Sequence, residues 1–378
     1  MKILLITPSF LPQIGGLEIA VHNLANAWID LGHSVLVANL LSGHPVHPEA
    51  KYKVTKIKAL RGGDAFGWHK FPWKVLMQRQ LTKIIHSYCP DYISGHFAYP
   101  VGIWLGNLSP AIPWSITCHA RDIQVLPKEN YGYRLQFDID NLLYNALSSA
   151  TRVIVLSQNI KEIVIKELRV PARLIVQIPN GADLRLKKNK VPLDVKSQFK
   201  IPSNANYLLS VGTNYSAKAF QIALKAFSKI APSFPDTYYL FLGKNTSNLI
   251  HMAHSLGIQD RIRTCERLEG QELWAVFQQA SLFVSSSRIE GFPLVGAEAV
   301  MAGLPLVMTD CPGNRDVIQH GENGLLCRVD DADDLAEKIA LILSNKKTMK
   351  KYSDRSKQLS LHYEWREIAR NYLESMGF

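Results

Sequence analysis

Residues 285–303 read SSSRIEGFPLVGAEAVMAG, and the rest of the chain is organised around them. The apolar run 280–284 stops at a cluster of serines, the pattern of a buried strand delivering the chain to a loop. Glu290, Gly291, Phe292 and Pro293 follow, then a helix predicted to open with Pro293. Proline suits the first helical position because its missing N–H would have no partner there. Gly303, just past Met301 and Ala302, is a natural C-terminal stop.

A loop running into a helix leaves backbone N–H groups pointing outward, here those of residues 291–294, a ready place for phosphate. Glu290 lies in the approach, and Glu298 follows after seven intervening residues. A carboxylate repels phosphate, so the two glutamates are read as accepting hydrogen bonds from hydroxyls. Phosphate on backbone and hydroxyls on carboxylates together suit a nucleotide-sugar. On spacing alone, an ordinary helix of an α/β layer with two solvated glutamates fits equally well.

The longer string EGFPLVGAEAVMAGLPLV resembles the second half of the signature of glycosyltransferase family 4, the retaining glycosyltransferases of group 1. The resemblance continues through Thr309, Asp310, Cys311, Pro312 and Gly313 and through the turn at residues 321–326. It implies the GT-B fold: two Rossmann-like domains facing each other across a cleft, with a C-terminal helix crossing back to the first. It also implies that Glu298 holds the ribose of the donor and Glu290 contacts sugar hydroxyls.

Composition sets the outer limits. At 378 residues the chain accommodates two domains with full cores. A hydrophobic content of 47% with 20% charged residues marks a globular protein rather than a disordered one. Five cysteines without a C-x-x-C pair build neither a disulfide framework nor a zinc site, and read as reduced thiols of a cytoplasmic protein. Residues 1–6 are too short an apolar stretch for a signal peptide, and no run approaches the roughly 20 apolar residues of a membrane span. The net charge is +11 and the pI about 9.3. No nucleic-acid motif accompanies that charge, so an anionic lipid surface or a phosphorylated substrate is the expected partner, and nucleic acid is not.

From the N-terminus, KILLIT (2–7) reads as a buried parallel strand, 18–31 as a helix and 34–40 as a second strand. Gly15 and Gly16 stand at the helix start, where two glycines let backbone approach phosphate. They are not the G-x-G-x-x-G dinucleotide fingerprint, which argues against a nicotinamide site. A flexible loop is the plainer reading, but PQIGGLEIAVHNLANAWIDLGHSV resembles the first family block, which makes Gly15 and Gly16 donor-binding. The segment 51–58 reads as a basic, half-exposed strand. Residues 68–88, WHKFPWKVLMQRQLTKIIHSY, interleave aromatics and bases. They fit either an interfacial segment docking on acidic lipid or a core helix with a solvated face. His44 and His47 have no further ligands nearby and read as loop.

His119 ends the strand at 114–117, where open α/β sheets gather ligands. The block TCHARD resembles the family's histidine block, which implies that His119 faces the transferred sugar; Asp122 stays open. Cys118 beside it reads as a buried strand cysteine rather than a Cys–His nucleophile. Residues 179–183, PNGAD, resemble the hinge-side block, and the polar, basic run 185–196 reads as the linker. The domains are therefore expected at 1–184, with 361–378 as the crossover helix, and at 197–360. The second opens with a strand at 207–211, then residues 212–218. Lys218 suits phosphate as a point charge and lies on the family's pyrophosphate-binding lysine. Thr213 stands where the family has an arginine on the phosphates, and Ala219 and Glu266 replace glycines. Arg267 and Leu268 lie near the family's base-recognition stretch.

These readings converge on a retaining hexosyltransferase, acting from a nucleoside-diphosphate sugar to a hydroxyl of a glycan or lipid-linked acceptor, as in cell-envelope polysaccharide or glycolipid synthesis. No cofactor and no metal are expected, with Lys218 and the helix start taking the metal's place and UDP ahead of GDP. The donor site is expected from Gly15, Gly16, Thr213, Lys218, Glu290, Gly291, Phe292, Pro293, Leu294 and Glu298. Chemistry is expected at His119, Lys218 and Glu290. Location is expected to be cytoplasmic, with peripheral contact to the inner membrane face. A nucleotide-sugar epimerase of the same fold, or an inactive sugar-binding homologue, are the competing readings.

Overall fold

The computed structural model describes residues 1–11, 15–39, 49–57, 70, 72–182, 193–268 and 270–378. They form two compact units, Met1–Gly181 with Trp365–Phe378, and Ala182–Glu364. Most of the linker stretch, His44, His47, Trp68, Phe71 and Asp183 lie outside the described residues.

Among the described residues the first unit carries a seven-stranded, wholly parallel sheet in the order β3-β2-β1-β4-β5-β6-β7. Its strands are β1 (Lys2–Thr7), β2 (Ser34–Asn39), β3 (Lys53–Lys56), β4 (Tyr92–His96), β5 (Trp114–Cys118), β6 (Arg152–Val155) and β7 (Ile175–Gln177). Parallel sheets are covered on both faces by their crossover helices, so central strands run apolar without alternation. Accordingly, Ile3, Leu4, Leu5 and Ile6 of β1 are all fully buried. At the edge, β3 leaves Lys53 and Lys56 exposed, which blunts further strand pairing.

Among the described residues the second unit holds a six-stranded parallel sheet in the order β10-β9-β8-β11-β12-β13. The strands are β8 (Asn206–Val211), β9 (Thr237–Leu242), β10 (Ile262–Cys265), β11 (Leu282–Ser285), β12 (Leu306–Thr309) and β13 (Gly324–Cys327). The helix Phe220–Ile230 covers one face, burying Ala223, Leu224 and Phe227 in the same core as Ile339 and Ile342 of the helix Ala332–Leu343.

The C-terminal helix Trp365–Ser375 belongs to the first unit. Trp365, Ile368, Ala369, Tyr372 and Leu373 are buried, the i, i+3, i+4, i+7, i+8 stripe of a helix lying on a core. Its partner is the helix Gly16–Asp30: Trp28 Nε1 donates to Ala369 O at 3.0 Å, and the Trp28 and Tyr372 rings meet edge-on at 5.9 Å. No helix among the described residues is long and apolar enough to cross a membrane.

One local expectation is corrected. The helix after β11 spans Leu294–Met301, and Pro293 is its cap rather than its first residue. Pro293 O accepts from Gly296 N and Ala297 N at 2.8 and 3.1 Å. Because proline has no N–H, the donors this turn leaves open are those of Leu294 and Val295. At the other end Gly303 takes φ +78, with its N–H on Val300 O at 2.9 Å and Leu304 N on Ala299 O at 3.0 Å. That is a Schellman stop, which favours glycine at this position.

Candidate active site

In the second sheet chain order reverses between the neighbours β8 and β11. Ligands of open parallel sheets lie outside the strand carboxyl ends at such a reversal. Two loops end there, residues 212–219 after β8 and 286–293 after β11. They are stitched together: Arg288 N donates to Ala217 O at 2.7 Å, Ser286 Oγ to Lys218 O at 2.9 Å, and Arg288 Nη1 to Ser216 O at 2.7 Å. Lys218 then crosses Gly212, where φ is +150 and an added Cβ would lie 3.3 Å from Lys218 Cε.

This arrangement delivers Lys218 Nζ to Glu290 Oε1 at 2.5 Å. The same oxygen accepts from Ser287 Oγ at 2.7 Å, and Ser285 Oγ donates to Ser287 Oγ at 3.2 Å. Both charged side chains are shielded, 15% and 12% exposed. Burial alone would lower the Lys218 pKa, but the Glu290 carboxylate, then Tyr215, outweigh it, so the pKa is raised and the ammonium stays charged. A shielded ion pair is a weak stabilising device, since desolvation offsets its attraction. What it supplies is positive charge held in place in a shielded site.

Glu290 is held from behind as well. Its N–H donates to Pro312 O at 3.0 Å, and Gly313, at φ +84, has no room for a Cβ against it, since one would lie 2.9 Å from Glu290 Cβ. Thr309 Oγ1 donates to Ser287 O at 2.5 Å, and Asn314 Nδ2 to Thr309 O at 2.9 Å. Burial, then the neighbouring Glu290, push the Cys311 thiol up to about 12, so it stays protonated.

Of the other residues singled out in this unit, Gly291 is buried and Phe292 is anchored, its ring 6.0 Å from that of Tyr363. Glu298 is half-buried on the helix behind the loop, and Thr213 is exposed. Arg288 is no stand-in for the family's arginine, because it is committed to Asp330 and to Ser216 O. Glu266 braces the loop after β9, accepting from Asn245 N, Ser247 N and Ser247 Oγ at 2.6, 3.1 and 2.6 Å. Arg267 is exposed and Leu268 half-buried.

In the first unit the order reverses between β1 and β4. Gly15 caps the helix Gly16–Asp30, and its carbonyl accepts from Ile19 N at 3.1 Å. The space around Gly16 is open, while a Cβ on Gly15 would lie 2.7 Å from Glu18 Oε2. Glu18 is buried and accepts from Ser9 Oγ. A carboxylate therefore sits beside the glycines, a feature the Gly-Gly-x-Glu spacing carries but that sequence reading passed over.

His119 stands just past β5 and is paired with His96 at the end of β4, Nε2 to Nδ1 at 3.2 Å. Burial pushes His119 down to about 3, and burial plus His119 lower His96 well below the usual range, so both rings are neutral. Asp122, left open from sequence, is a brace. It accepts from Ala98 N at 2.6 Å, Ala120 N at 2.9 Å and His119 N at 3.1 Å, tying the loop after β4 to the loop after β5. Cys118 is fully buried, and that burial holds its thiol well above its usual range, in keeping with a strand cysteine. Sequence reading missed Ser287, although its three-residue spacing from Glu290 is a local signal; His96 reads from sequence only as part of a cleft loop at residues 95–100, and its pairing with His119 comes from the structure.

Comparison with known proteins places each half of the chain. A model of the Glycosyltransferase Family 4 matches residues 14–186, and one of the Glycosyl transferases group 1 matches residues 194–359. An uncharacterized glycosyltransferase of Haemophilus influenzae is 27% identical over 235 residues, 60% of this chain and 63% of the relative. One of Methanocaldococcus jannaschii is 25% identical across 97% of this chain and 95% of the relative. Among solved structures, Anabaena HepE in complex with UDP-glucose matches with a TM-score of 0.79 at 19% identity, covering 100% of this chain and 99% of that one. An identity that low speaks for the fold. With both units matched by glycosyltransferase models and the whole length matched by glycosyltransferase relatives, the chain belongs to the group 1 glycosyltransferases of GT-B fold.

Proposed function

We propose that the protein is a retaining, metal-independent hexosyltransferase. The donor is a nucleoside-diphosphate sugar, with UDP ahead of GDP, and the acceptor is a hydroxyl of a glycan or lipid-linked glycan of the cell envelope. The observation that carries this reading is the shielded Lys218–Glu290 pair at the reversal point between β8 and β11. Anabaena HepE, solved with UDP-glucose, supports the donor class.

The chemical obstacle is the diphosphate, whose charge grows as the glycosidic bond stretches. Fixed positive groups aimed at that charge are the largest expected contribution, on the order of 10²–10³-fold in rate for a strong donor. Lys218 Nζ and the N–H groups of Leu294 and Val295 fill that role. Arriving phosphate oxygens draw the ammonium from Glu290, and the freed carboxylate oxygen then accepts from a sugar hydroxyl. Ser287 keeps that carboxylate oriented during the exchange. Glu298 is assigned to the ribose, Gly15 and Gly16 to the donor, and His119 to the transferred sugar, all on the family resemblance.

The test is incubation with UDP- and GDP-hexoses, with and without chelator and acceptor, the products being read by proton NMR. A product with the donor's α configuration, formed equally in chelator, is expected. A β-linked product contradicts retention, and strict dependence on magnesium contradicts the metal-free reading. A new sugar nucleotide made without acceptor would reveal the isomerase.

A further inference from the structure

We infer that His96 is a positioning residue for His119: it occupies Nε2, fixes the ring, and leaves Nδ1 as the atom His119 offers to a sugar hydroxyl. The inference rests on the assignment of His119 to the transferred sugar. It goes beyond that assignment by naming the atom and the residue that sets it.

Its basis is the pairing of two adjacent strand ends. β4 and β5 are hydrogen-bonded neighbours with His96 opposite Thr117, so a residue two places past Thr117 leaves β5 on the face of the sheet that His96 occupies. His119 Nε2 and His96 Nδ1 are 3.2 Å apart, and His96 Nε2 lies 3.3 Å from Ser94 Oγ. Tyr372 of the C-terminal helix stacks on His96 at 6.3 Å with 13° between the planes, and its hydroxyl meets Thr117 Oγ1 at 3.1 Å. Phe97, at φ +80, sets its ring 5.9 Å from that of His119. Asp122 holds the His119 backbone N–H. Nδ1 of His119 has no hydrogen-bond partner among the described residues.

A neutral imidazole has one N–H and one lone pair, so a contact between two such rings needs one of each. If His119 Nε2–H donates to His96 Nδ1, the His96 proton sits on Nε2 and points to Ser94. His119 Nδ1 is then an acceptor. If His96 Nδ1–H donates instead, Ser94 donates to His96 Nε2 and His119 Nδ1 carries the proton. In either state Nε2 is taken, and the character of Nδ1 is linked to the direction of the Ser94 hydroxyl. The other ring nitrogen setting the outward tautomer is the usual logic of a working histidine.

The test is a double-mutant cycle on the full chain with His96→Phe and His119→Ala, measuring donor turnover. Phe keeps the stack on Tyr372 and removes the hydrogen bond. We expect His96→Phe to lower kcat about 10-fold with donor KM nearly unchanged, and to have almost no further effect in His119→Ala. His96→Asn, whose amide can reach the Nδ1 position, restores most of the rate. Long-range ¹⁵N–¹H spectra of the histidine-labelled wild type supply a reading that does not depend on any variant folding. They should show one fixed tautomer for His119, with Nε2 hydrogen-bonded. Equal losses from His96→Phe in both backgrounds, or a His119 ring exchanging freely between tautomers, overturn the inference. Full activity of His119→Ala overturns it too, and shows that the underlying assignment of His119 is what failed.

Discussion

Burial holds His96 and His119 neutral, and acid should therefore weaken the first unit. His119 has a folded pKa of about 3 against 6.5 for the free side chain, and His96 is lowered in the same direction. A depressed folded value means the unfolded chain takes up the proton first. Stability is complete above the unfolded pKa and is lost as pH falls below it. For His119 alone the loss at about pH 5 is about 2 kcal/mol. Urea unfolding of the wild type should show it, and His119→Asn should be less sensitive over the same interval. Identical pH dependence in the two proteins would contradict the account. At this scale sequence reading singled out Lys218, Glu290 and His119 one at a time, because each sits in a recognisable local string. It did not show that Lys218 and Glu290 touch, because the two are 72 residues apart and only the β8–β11 pairing brings them together. His96 was legible only as part of a cleft loop at residues 95–100, because its pairing with His119 is set by the strand beside it.

Elements with apolar periodicity were legible. β1, β5 and β8 lie within a residue or so of where their patterns put them. The helix Lys346–Leu359 was not, because KKTMKKYSDRSKQL is mostly charged or polar and buries only Tyr352, Ser356 and Leu359. The helix Trp73–Tyr88 is the element on which sequence left two readings. It packs against β1 and the helix Ile103–Leu108 with Met77 and Leu81 buried, so much of its apolar side is spent on the fold. What it turns outward is largely basic: Arg79 and Lys83 are exposed, as is Lys70 ahead of it, with Val75 the one large apolar side chain exposed on the helix. Any attachment to membrane through this element is then chiefly electrostatic, worth roughly 1 kcal/mol per basic residue at an anionic surface and sensitive to salt. Sedimentation with anionic vesicles should recover the protein at low salt only, and changing Lys70, Lys74, Arg79 and Lys83 to Glu should abolish recovery without changing donor hydrolysis. Protein left in the supernatant under every condition would reduce the helix to a packing element and favour a soluble acceptor.

At the scale of the molecule, two parallel sheets and a C-terminal helix returning to the first unit were legible from the resemblance. Residue pattern supplies the reason: apolar parallel strands alternate with helices in each unit, and the last helix carries a complete apolar stripe with no core of its own nearby in sequence. The donor site at the β8–β11 reversal is the centre of the account, and calorimetric titration with UDP and GDP tests it most directly. Wild-type protein should bind one of them with one-to-one stoichiometry, and Lys218→Ala should weaken that binding about 10-fold or more, the loss of a charge-assisted hydrogen bond to phosphate. Equal affinity in the two proteins, or no binding of either nucleotide to the wild type, would contradict the placement of the donor diphosphate at Lys218.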